Sequence, residues 1–126
     1  METILKKQLI GFTLASIFLT AGVAHFLFEE LFTEVIPKVL PFRSLLNQIV
    51  GTLEVLLAFL YFSKIQKVAY LLSFILLVVY IWPHVYFIQI GSCTMDFCVN
   101  PWISWTRLLI IHPILLYLNY YLIKNE

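Results

Sequence analysis

The chain has 126 residues, of which 62% are hydrophobic and 12% charged, and its net charge is +1. Soluble domains run nearer about 45–50% apolar and about 25% charged. This balance excludes a disordered chain, a nucleic-acid binder and an ordinary water-soluble enzyme, and the length leaves room for one domain. The class that remains is an all-α integral membrane protein with the lipid bilayer as its first partner.

The charges divide the chain. Residues 8–28 carry no Asp, Glu, Lys or Arg, residues 44–63 carry only Glu54, residues 68–95 carry none, and residues 97–123 carry only Arg107. A hydrocarbon core of about 30 Å needs about 20 helical residues. The predicted spans are therefore 8–28, 44–62, 68–90 and 102–123, folded as an antiparallel, up-and-down four-helix bundle within a single membrane domain, 1–126. The apolar runs do not alternate with polar residues, so a β-barrel is excluded.

The first span opens after Lys6-Lys7. A charged start, an apolar run and Gly22-Val23-Ala24 also fit a cleaved signal peptide, but the apolar run passes through that site unbroken, which favours an uncleaved span. Ser16, Thr20 and Ala24 repeat every four residues and predict a close-packing face. Gly22 lies one turn before His25, as Gly51 does before Glu54, and each glycine permits close approach of a neighbouring helix or a ligand.

Residues 29–43 mix Leu31, Phe32, Val35, Ile36 and Val39 with Glu29, Glu30, Glu34 and Lys38, and are interrupted by Pro37 and Pro41. They read either as a short amphipathic segment or as an irregular loop with apolar anchors. The second span carries Glu54 about 15 Å deep, near the midplane. Residues 63–67 form a tight turn into the third span, which holds His84 in its later part.

The next connection, Gly91 to Pro101, contains both cysteines, Cys93 and Cys98. A structural disulfide is the leading reading, ahead of a redox-active dithiol and of two unlinked thiols. The Cys-x4-Cys spacing differs from that of thioredoxin-like sites. Two soft ligands are too few for a structural zinc site, and no metal is assigned.

The fourth span places Arg107 about 8 Å below its start and His112 near the depth of Glu54. Ionisable residues inside a bilayer are costly and mark a site or pathway. His25, Glu54, Arg107, His84 and His112 are thus the candidate polar site, an outward-opening pocket with Glu54 at its floor. Glu54 and Arg107 as a purely structural ion pair, and Arg107 snorkelling to the headgroups, are the competing readings. Gly22, Gly51, Tyr86, Trp102 and Trp105 are candidates to line the pocket, with Tyr80 and Trp82 adding aromatic surface; an interfacial belt is the alternative for each aromatic. Haem ligation between histidines of two spans has no second indicator.

Lys6, Lys7, Lys64, Lys67 and Lys124 fall on one side of the membrane, and Lys38 and Arg43 on the other. This places both termini in the cytoplasm of a cytoplasmic-membrane protein.

Several short motifs together carry a family resemblance. They are Gly22-Val-Ala-His25-Phe26, Phe32-x-x-Val-Ile-Pro37, Leu40-Pro41, Gly51-x-x-Glu54, Val85-Tyr86 and Pro101-Trp102-x-x-Trp105-x-Arg107-Leu108. In order and spacing they resemble the DoxX family of small four-helix bacterial membrane proteins, and the resemblance runs from about Gly22 to Tyr121. The chain departs from the family at His84, where Asn is common, at Leu109, where Pro is common, and in its cysteine loop. That loop is also similar to the MauE-like redox-associated membrane proteins. The resemblance implies an accessory subunit of a membrane-linked redox system, associated with quinones or thiols, rather than an enzyme on its own. It further implies His25, Glu54 and Arg107 as the intramembrane polar set, a quinone as candidate ligand and a membrane oxidoreductase as candidate partner; a homo-oligomer is compatible with it. A non-catalytic assembly protein and a small-solute transporter are the rival functions, the latter without the internal repeat that transporters commonly show.

Overall fold

The computed structural model describes residues 1–126. It is all-α apart from one two-stranded ribbon, with α1 at Glu2–Leu27, α2 at Glu29–Val35, α3 at Arg43–Leu60, α4 at Gln66–Val79, α5 at Ile81–Gln89, α6 at Pro101–Thr106 and α7 at His112–Lys124. A π-helical segment, Arg107–Ile111, joins α6 to α7. Four stretches are long and apolar enough to cross a membrane: Glu2–Leu27, Arg43–Leu60, Gln66–Gln89 and Pro101–Lys124. Only 17–28% of the residues in their apolar windows are buried inside the protein, so most of their apolar surface faces outward. In water that surface would be a liability; in lipid it is the solvated face. The chain is a membrane protein by these features.

The first helix begins well before residue 8, because the segment Glu2–Lys7 is made of good helix formers and nothing in it stops a helix. Its buried residues are Ile10, Gly11, Leu14, Ala15, Phe18 and Gly22, a stripe at three- and four-residue spacing. The Ser16–Thr20–Ala24 face is therefore not the packing face. Ser16 and Thr20 point outward, and their hydroxyls donate to the carbonyls of Phe12 and Ser16, both at 2.8 Å, which satisfies them without a neighbour.

α3 buries Asn47, Gly51, Glu54, Leu57 and Ala58 and lays this stripe antiparallel against α1. The two helices touch at Gly22 and Gly51. A Cβ on Gly22 would lie 2.8 Å from the Gly51 carbonyl oxygen and 2.9 Å from the Val55 nitrogen, and one on Gly51 would lie 2.7 Å from His25 Cβ. Below this contact Phe18 meets Tyr61, ring centroids 6.1 Å apart, in a core continued by Leu57, Tyr70, Leu77 and Leu122.

Prolines break the other two long helices. Pro83 has no N–H to offer the Val79 carbonyl four residues back, and the chain bends between α4 and α5 at Tyr80. Pro113 does the same to Leu109, and the helix widens over Arg107–Ile111.

The connection after α1 is half helix and half turn. α2 stops at Val35 because Ile36, which precedes Pro37, is extended at φ −71°, ψ 128°. Arg43 ties the turn down: Nε donates to the Ile36 carbonyl at 2.9 Å, Nη2 donates to the Glu34 carbonyl at 3.2 Å, and Nη1 lies 3.7 Å from the Glu34 carboxylate. The later connection is a ribbon, β1 at Cys93–Thr94 and β2 at Phe97–Cys98, antiparallel with Cys93 opposite Cys98. Their Cα atoms are 4.1 Å apart and the sulfurs are joined in a disulfide. Gly91 enters the ribbon at φ +88°, a conformation glycine adopts without strain.

Candidate functional site

The Gly22–Gly51 approach brings the last turn of α1 against the first half of α3, and polar side chains meet there. Asn47 Nδ2 donates to the His25 backbone carbonyl at 2.9 Å, and Asn47 Oδ1 lies 2.6 Å from His25 Nδ1. With its NH2 group committed to a carbonyl, Asn47 presents an acceptor to the ring, so the proton of neutral His25 sits on Nδ1. That leaves His25 Nε2 as the basic nitrogen. It faces Glu54 Oε2 at 3.3 Å, an ion-pair contact that is less well aligned than a hydrogen bond. On the other side Tyr80 donates its hydroxyl to Glu54 Oε1 at 2.6 Å. Tyr80 reaches Glu54 from the bend that Pro83 makes between α4 and α5.

Two states of this cluster are neutral overall: imidazolium with carboxylate, and imidazole with carboxylic acid. They differ by one proton moved between Glu54 Oε2 and His25 Nε2. A net-neutral pair avoids the cost of an isolated charge in the membrane. Glu54 is 2% exposed and the His25 side chain 12%, so His25 is the less enclosed member of the pair. Phe32 of α2 covers the imidazole, with centroids 4.3 Å apart.

A second cluster lies between α5 and the π-helical segment. His84 and His112 meet edge to face with centroids 5.0 Å apart, and His112 Nε2 is 2.6 Å from the Leu77 carbonyl, to which it donates. The Arg107 guanidinium carbon lies 5.3 Å from the centre of the Phe87 ring. Buried His84 Nδ1 and Arg107 Nε have no hydrogen-bond partner.

The five candidate residues are thus divided. His25 and Glu54 are in contact, while Arg107, His84 and His112 form a separate group. The Glu54–Arg107 ion pair does not form; the chain's ion pairs are His25–Glu54 and Arg43–Glu34. His25 and Glu54 are largely covered by the helices around them, at 12% and 2% exposure. Gly22 and Gly51 serve this helix contact, with no space left for a ligand. Trp102 and Trp105, 64% and 48% exposed, turn away from the protein and form part of an outer aromatic surface with Trp82 instead of lining a site. Tyr86 is half-buried. Open clefts lie elsewhere. One of about 630 Å³ runs between Phe26–Leu31 and the ribbon tip at Met95–Phe97, and another lies along the outer face of α3.

A family model described as a domain of unknown function, DUF8561, matches residues 14–120. The chain belongs to this family. No curated protein and no solved structure matches it.

In this DUF8561 chain, the match spans both clusters. Asn47 is a residue that sequence reasoning missed. The available signal was its spacing: Asn47, Gly51 and Glu54 fall at i, i+4 and i+7, one stripe of one helix. Tyr80 was visible only as one aromatic among many. Pro83 and Pro113, which shape the bends beside Tyr80 and Arg107, were the other overlooked signal.

Proposed function

We propose that this protein is a four-helix, up-and-down bundle of the cytoplasmic membrane, with both termini in the cytoplasm, that serves as a proton-handling accessory subunit of a membrane-linked redox system. The observation that carries the reading is the His25–Glu54 pair, buried among apolar helices and oriented by Asn47 and Tyr80. Ionisable groups at such depth are expensive and usually functional. The DoxX-like motifs, which include both residues, give the redox context.

Reduction of a quinone to a quinol takes up two electrons and two protons. In this proposal two electrons come from a partner oxidoreductase, and the His25–Glu54 pair passes two protons one at a time through His25 Nε2, being reprotonated from the aqueous side after each. Isolation of the full chain from native membranes, with solvent extraction of bound lipids, tests it. The expected result is a co-purifying oxidoreductase and a quinone, with E54Q lowering quinone reduction by about a hundredfold, a typical value for loss of acid–base catalysis. Unchanged turnover in E54Q, or no oxidoreductase in the preparation, overturns the reading.

A second reading is favoured by the Asn47 clamp. Two hydrogen bonds from one side chain join α1 to α3, so the whole cluster has an architectural use in a non-catalytic assembly protein. It predicts that E54Q and H25Q lower folded yield and leave redox turnover per folded molecule unaltered.

A further inference from the structure

The second polar cluster has unmet bonding capacity. Arg107 is half-buried, with Nε enclosed and unpartnered and one side of the guanidinium against Phe87. No carboxylate lies within ion-pair distance, since Glu54 belongs to His25 and Glu34 to Arg43. His84 Nδ1 is likewise enclosed and unpartnered. His84 stands one turn before Phe87 on α5, hence on the same face of that helix, the face that meets Arg107. His112 is not free to help, because its Nε2 is engaged by the Leu77 carbonyl.

An uncompensated guanidinium whose Nε–H has no acceptor is costly in a membrane, and so is an enclosed imidazole nitrogen with no partner. The guanidinium lacks negative charge carried on oxygen, and the imidazole, in its Nδ1–H tautomer, lacks an oxygen acceptor. A guanidinium fork matches a phosphate in two parallel hydrogen bonds, and an imidazole N–H adds a third. The π-helical stretch that begins at Arg107 is a local departure of the kind often found at functional sites.

We propose that Arg107 and His84 form a binding site for a phosphate-type oxyanion, either free or as the headgroup of a phospholipid. The site is separate from the His25–Glu54 pair and does not depend on its role. Phe87 supports the guanidinium, and the anion supplies the missing charge and acceptors.

The chain has two arginines, Arg43 and Arg107, so the full protein labelled with 15N-arginine has two side-chain Nε–H signals. In a maltoside detergent, which contains no phosphate, the protein is titrated with inorganic phosphate, with phosphatidylglycerol, or with chloride at matched ionic strength. A saturable shift of the Arg107 signal with phosphate, while Arg43 stays fixed, supports a free oxyanion; the same shift with phosphatidylglycerol alone supports a lipid headgroup. No shift beyond the chloride control with either probe overturns the proposal. H84F is expected to weaken binding about tenfold, the loss of one charge-assisted hydrogen bond. The unmoved Arg43 signal reports that the variant is folded, and H84L repeats the test in a second background. Wild-type affinity in both variants overturns the assignment.

Discussion

Gly22 and Gly51 face each other so closely that a methyl group on either would strike the opposing helix. At Gly22 the obstacles include backbone atoms, the Gly51 carbonyl and the Val55 nitrogen, neither of which can rotate away. This contact sets the distance at which His25, Asn47 and Glu54 meet.

G22A and G51A should therefore each destabilise the protein by about 1–3 kcal/mol, the usual cost of overpacking. G11A is the control, because nothing lies within 4 Å of a Cβ at Gly11. Replacing a helical glycine by alanine there should stabilise by about 0.5–1 kcal/mol. Thermal unfolding in detergent, followed by circular dichroism, measures all three.

Asn47 should control the histidine tautomer. In 15N spectra of the labelled protein, neutral His25 is expected to carry its proton on Nδ1. N47L removes both hydrogen bonds between Asn47 and His25, so the Nδ1–H preference should be lost and stability should fall by about 1–3 kcal/mol. A His25 spectrum identical in N47L and wild type would show that Asn47 does not hold the ring.

Tyr80 should matter through its hydroxyl alone. Y80F keeps the ring but leaves Glu54 Oε1 without its donor, and a buried acceptor stripped of its partner costs about 1–3 kcal/mol. The loss should be smaller in an E54Q background than in wild type, since the neutral amide of that variant has less need of the donor. A double-mutant cycle of unfolding free energies gives the coupling.

The disulfide should be local in its effect. Impermeant maleimide is expected to label no cysteine in intact cells until a reductant is added, and then to label Cys93 and Cys98 from outside. The closed loop is short, so in the chain-entropy account its loss costs about 2 kcal/mol. C93S/C98S should accordingly loosen the ribbon, read as faster amide exchange there, while exchange in α3 and α4 is unaltered. Labelling only from the cytoplasmic face would reverse the proposed orientation.

The spans were legible because charge is so costly in lipid that its placement outlines the helices. The same cost singled out Glu54, His25 and Arg107. Their partners were harder to read. Asn47 and Tyr80 are neutral, their presence in a membrane helix costs less, and one sequence does not show which face of a helix meets which neighbour. Arg107 matched Glu54 by charge but not by position: the Pro83 bend delivers Tyr80 to Glu54, and Arg107 lies against Phe87 instead. Trp102 and Trp105 stand on the same spanning helix as Arg107, yet helical rotation turns them outward. The stripe of Ser16 and Thr20 failed for a related reason, because hydroxyls that bond their own helix need no facing partner. In each case chemistry followed from residue type, whereas rotation about the helix axis depended on packing.

In the proposed function the His25–Glu54 pair exchanges a proton in step with quinone chemistry. Infrared difference spectroscopy tests it directly, on the protein in native membranes cycled between oxidised and reduced quinone. A carboxyl band that appears and disappears with the cycle, and is missing from E54Q, is the expected result. A wild-type difference spectrum with no carboxyl band, in membranes where the quinone demonstrably turns over, would contradict it.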